Sequence, residues 1–155
     1  MLFLMTILIS QAFALDELSP TAKGLAFCQV FQECQKANPA GSTMCIRDAL
    51  FKSKLTKKKI EASHAKEIGR DLRREGFQEP TTDLNGLPQG SILVLDAHDP
   101  IKDKKPYCPK VYGAVLVKCG GSWVDKDENA LDFYIKRGCR TKGIWIHPAF
   151  ITPNR

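Results

Sequence analysis

Cys45 is the residue whose placement most invites chemistry. Ser42 or Thr43 can cap a helix beginning at this point. That puts Cys45 in the first turn, where unpaired backbone amides and the positive end of the helix dipole favour an ionised sulfur. A thiolate nucleophile works with a base, usually an imidazole that takes the thiol proton and later returns it to the leaving group. His64, His98 and His147 are the histidines available for that part. The same cysteine has a second reading. Cys34 ends the preceding helix, and the ten residues between it and Cys45 can bring the two α-carbons within disulfide range. A bonded sulfur is no nucleophile.

The rest of the chain bears on that choice. Its first fourteen residues, MLFLMTILISQAFA, are uncharged and end in Ala12-Phe13-Ala14, the small-x-small pattern that signal peptidases cut after. Residues 1–14 therefore read as a signal peptide and 15–155 as one exported domain, with an apolar run too short for the roughly 20 residues that a bilayer needs. All six cysteines (Cys28, Cys34, Cys45, Cys108, Cys119 and Cys139) lie after the leader and contain no CxxC, which favours disulfides over a zinc site. Cys119 and Cys139 could link neighbouring strands. Cys28 and Cys34, on one helix and roughly 9 Å apart along its axis, should not pair with each other.

The formal charge is +6, and between Arg47 and Arg74 ten Lys or Arg stand against four acids. Outside the cytoplasm a basic face suits peptidoglycan or another acidic cell-envelope polymer rather than nucleic acid, although a solvated helix face accounts for it equally well. No cofactor is called for.

The elements that must position these groups change character midway. Ser19-Pro20 opens a helix that Asn38-Pro39 stops. A second carries Ile46, Ala49, Leu50 and Ser53 on one face, and a third runs from about Ser63 to Glu75, with Gly76-Phe77 as its C-terminal cap. From Gly90 onward SILVLDA, KVYGAVLVK, SWVD, DFYIK and GIWIH read as strands, the second and third joined by a tight Gly120-Gly121 turn. Helices first and an antiparallel sheet second make an α+β layout. Asp99 to Pro109 is the long irregular connection. Trp123, Phe133, Tyr134 and Trp145 read as core and sheet-face residues before they read as a sugar-stacking platform.

Over roughly Ser42 to Pro148 the sequence resembles the CHAP and NlpC/P60-like branch of papain-fold amidases and endopeptidases that cut peptidoglycan. The resemblance lies in GSTMCIRDAL, SHAKEIGRDLRREGF, LPQGSILVLDA and YGAVLVKCGGSWVDK. It implies a papain-like fold with Cys45 as nucleophile. Two departures stand out: Gly90-Ser91 where relatives have Gly-Asp, and Gly113-Ala114 where they have the catalytic Gly-His. Alanine moves no proton, so another histidine must substitute or the protein does not cut. His98 follows the first strand, whose end lies opposite the start of the second in a hairpin. It is the substitute nearest the neighbourhood that Ala114 vacates, with Asp96, Asp99 and Asp103 close in sequence to orient it or bind a cation. His64 reads as a surface residue and His147 has no evident acidic neighbour.

Three functions follow from different classes. One is an exported cysteine amidase or endopeptidase acting through Cys45 and His98. Another is a non-cutting relative that binds wall fragments or a protein partner. The last is an unrelated disulfide-stabilised exported inhibitor or surface protein.

Overall fold

Ser19 and Pro20 start the first helix as their order predicts. In the computed structural model, which describes residues 18–39, 41–80, 84, 86–96, 108 and 112–152, helix α1 spans Pro20–Ala37. The Ser19 hydroxyl accepts the Ala22 N–H at 3.2 Å. Its buried stripe of Gly24, Phe27, Cys28, Phe31 and Gln35 follows the helical period. At Gly24 an added β-carbon would sit 2.0 Å from the Gln89 carbonyl oxygen, so only glycine lets α1 lie this close to the turn before the sheet. Helix α2 spans Ser42–Lys52 and buries Cys45, Ile46, Ala49 and Leu50. Its N-cap is Gly41, without a side-chain cap bond, so Ser42 and Thr43 lie inside the helix instead of capping it.

The third helix is shorter than its sequence pattern suggests. His64 is extended, Ala65–Glu67 form a 3-10 turn, and only Ile68–Arg74 are α-helical, here α3. The backbone ahead of it finds partners elsewhere: Ala62 N–H donates to Asp71 Oδ2 at 3.1 Å and Lys66 N–H to the Tyr112 carbonyl at 3.2 Å. Its far end matches expectation. Gly76 adopts φ +87°, its N–H bonds to Arg73 O, and Phe77 N–H reaches back to Leu72 O, the paired bonds of a Schellman cap.

Strands β1 (Ile92–Asp96), β2 (Ala114–Cys119), β3 (Ser122–Val124) and β4 (Arg140–Trp145) form one antiparallel sheet in the order β3-β2-β1-β4. DFYIK is not a strand. It lies in helix α4, Ala130–Lys136, which buries Ala130 and Tyr134 one turn apart and leaves Phe133 and Ile135 exposed. Asp125 sets up that reversal: Oδ1 accepts the Asp127 N–H at 2.7 Å, and Oδ2 accepts the Tyr134 hydroxyl at 2.8 Å. A three-residue apolar run fits either period, and the turn chemistry decided it.

The sheet is covered on both sides. Ile92, Val94, Val115, Val117 and Trp145 pack with α1, α2 and α3, while Leu93, Leu95, Ala114, Leu116 and Ile144 pack with Tyr134 of α4. Strand β1 is apolar from Ile92 to Leu95 because neither of its faces meets water there. Three disulfides tie the layers: Cys28–Cys119 joins α1 to the end of β2, Cys34–Cys45 joins α1 to α2, and Cys108–Cys139 anchors the start of β4. Cys119 and Cys139 do not pair, since β2 runs away from the sheet end at which β4 begins. Residues 1–14, His98, Asp99 and Asp103 lie outside the described residues.

Candidate functional site

The structure corrects the reading of Cys45 as a nucleophile. Its sulfur is bonded to that of Cys34, with α-carbons 5.5 Å apart, and the residue is fully buried. No thiol remains to ionise. Its backbone N–H is also committed, donating to Gly41 O at 2.8 Å, so Cys45 sits one residue past the free amides of the helix start. The partner position fares no better. Ala114 pairs with Leu95 and belongs to the cluster on the α4 face, whereas Cys45 packs in the cluster on the α1–α3 face. A histidine at 114 would project away from Cys45. His98, the proposed base, is not among the described residues.

The other two histidines hold structural contacts. His64 stacks on Tyr112 with centroids 4.2 Å apart. His147 accepts the Ala149 N–H on Nδ1 at 3.1 Å and meets Phe77 edge to face, with the Leu55 backbone nearby. Burial, reinforced by Lys23, pushes its imidazole below the ordinary value in spite of the Leu55 backbone. Asp96 lies opposite Arg140 across the β1–β4 ladder. Among the described residues no group of His, Cys, Asp and Glu is placed to hold a metal ion.

A different arrangement has the makings of a site. Between α3 and β4 runs an open groove of about 400 Å³, lined by Lys66, Arg70, Arg73, Glu79, Lys142 and Trp145. Trp145 is wedged in its floor. An added β-carbon at Gly69 would stand 2.8 Å from the indole Cζ2, and one at Gly143 would stand 3.2 Å from Nε1. The two glycines therefore make the slot that the indole fills. Arg73 lies over the ring, 5.4 Å from its centroid, and its Nη2 contacts Glu79 Oε2 at 3.0 Å.

The sheet supplies the opposite wall through an irregularity. Val94 pairs with Gly143 and Leu95 with Thr141, which leaves Lys142 as an extra, unpartnered residue in β4. In regular alternation Lys142 would share the α4 face with Ile144. The bulge re-aims it into the groove. Neither Lys66 nor Lys142 has an ion-pair partner among the described residues, whereas Lys59 pairs with Asp48 and Arg74 with Asp71. The basic segment Arg47–Arg74 is thus partly neutralised internally, the three arginines of α3 included, and the 3-10 turn ahead of α3 contributes Lys66 to the hollow.

Charge counting alone found the α3 half of this groove. Lys142 and Glu79 were missed as site residues and Trp145 was read as core before sugar platform, although a Lys-Gly pair at the edge of a strand pattern is a bulge signal that could have flagged the wall. Among known proteins, no family model, no curated protein and no solved structure matches the chain.

Proposed function

We propose that this protein is an exported, non-hydrolytic binding domain that holds an acidic cell-envelope polymer, peptidoglycan in the first instance, on the basic groove between α3 and β4. The observation that carries the reading is the pair Lys66 and Lys142, on opposite walls of an open groove and without an ion-pair partner among the described residues. The Cys34–Cys45 bond supports the non-hydrolytic half, because acyl transfer of the papain kind needs the free sulfur. Three disulfides are consistent with export, and among the described residues no helix is long and apolar enough to cross a membrane.

Co-sedimentation with purified peptidoglycan sacculi tests this. Binding is expected at low ionic strength and should vanish near 1 M salt, where the screening length falls to about 3 Å. No soluble fragments should be released. Protein that stays in the supernatant at every salt concentration, or fragments that accumulate, would overturn the proposal.

A further inference from the structure

The mixed lining of the groove narrows its ligand beyond "acidic polymer", on the assumption that the binding reading above holds. We infer that it takes a carboxylated polysaccharide, a chain of pyranose rings that carry both carboxylates and free hydroxyls.

Lys66 and Lys142 face the groove without an ion-pair partner among the described residues, and two protein carboxylates face it as well. Glu79 accepts from Arg73, while Glu67 is exposed and has no ion pair among the described residues. A polyphosphate would meet Lys66 and Lys142 but bring no hydroxyl to donate to Glu67, and Arg73, the arginine on the indole, is already engaged by Glu79. A neutral glycan would leave both lysines uncompensated. A sugar carboxylate offers the lysines a counter-charge while neighbouring hydroxyls can donate to Glu67.

The end of the groove at Lys66 adds an aromatic surface. The Lys66 N–H donates to the Tyr112 carbonyl at 3.2 Å, which sets Tyr112 beside the groove. Tyr112 is 59% exposed, and its ring lies nearly parallel to that of His64, at 12°. One face of the phenol is thereby fixed by the imidazole. The other is open to the C–H face of a pyranose, the kind of contact that an amphipathic ring makes well.

Titration of the purified exported protein with polygalacturonate, polyphosphate and chitohexaose, followed by calorimetry, tests the inference. Polygalacturonate should bind at least about tenfold more tightly than either of the others, because only it satisfies both the lysines and Glu67. Lys142→Ala and Tyr112→Ala should each weaken it about fivefold, with Lys142→Arg retaining most of the affinity and Lys36→Ala, on the outer face of α1, changing nothing. Polyphosphate binding as tightly as polygalacturonate, or Lys142→Ala behaving like Lys36→Ala, would overturn it. The two proposals separate cleanly. Sacculus binding that survives Lys142→Ala leaves a binding domain with the wrong groove assigned. Polygalacturonate binding without sacculus binding supports the groove and removes peptidoglycan as its polymer.

Discussion

Two regions of this molecule look reactive for different reasons. Cys45 has the residue type and the helix-start placement of a nucleophile, yet it is sealed in the core, bonded to Cys34, and backed by an alanine that faces the other side of the sheet. The α3–β4 groove has no residue type that announces chemistry, yet it is open and carries two lysines without an ion-pair partner among the described residues. Local sequence placement marks where a group could react. Whether it can do so depends on what the tertiary structure has already given it to bind.

The sharpest way to break this comparison is to cut the bond at Cys45. The Cys34→Ser/Cys45→Ser double variant should lose about 3 kcal/mol of stability in a denaturant titration, the value expected for a loop of this size. Cys34→Ser alone frees the Cys45 thiol and should still release no fragments from peptidoglycan. Turnover in that variant would mean that the disulfide masks a working nucleophile, and the contrast between the regions would collapse. A smaller effect is expected in the groove itself. Gly69→Ala puts a methyl group 2.8 Å from the Trp145 ring, which Gly143 confines from the other side. The overpacking should outweigh the gain in helix propensity and cost about 1 kcal/mol, read from the unfolding midpoint. Unchanged stability would show that the indole floor is loose.

The smallest effect concerns the end of β4. His147 is held neutral by burial, below its ordinary value of 6.5, so the unfolded chain takes up the proton first. Its contribution to stability is full above that value and is lost as the pH falls beneath it. Unfolding midpoints measured between about pH 5 and 8 should show that slope in the wild type and a flatter one in His147→Gln. Equal slopes would assign the acid sensitivity elsewhere.

Much of the architecture was legible because local rules agreed with the tertiary outcome. Ser19-Pro20, Gly76-Phe77 and the apolar run of β1 each have one good physical solution, and the structure adopts it. DFYIK failed because alternation over five residues cannot outvote the Asp125 turn and the Tyr134 bond that follow it in space. The groove was legible by half. Its α3 cations stand in one charge run, but Lys142 depends on a bulge and Trp145 on two glycines from different elements, and neither relation is written in spacing along the chain. The cysteine pairing was similar: Cys34–Cys45 is a local loop and could be named, while Cys28–Cys119 joins residues 91 positions apart.

That last separation gives the molecule an order of assembly. Cys34 and Cys45 are 11 positions apart, and their loop can close as soon as the first two helices exist, whereas Cys28 must wait until β1 and β2, half of the sheet, have been delivered. Bringing the ends of the longer loop together costs about 2 kcal/mol more in chain entropy, so its partner has to be presented by strands already paired. Helix α1 is therefore pinned to α2 early and to the sheet late. Oxidation of Cys28 thus requires the β1–β2 hairpin, and nothing of the chain beyond it.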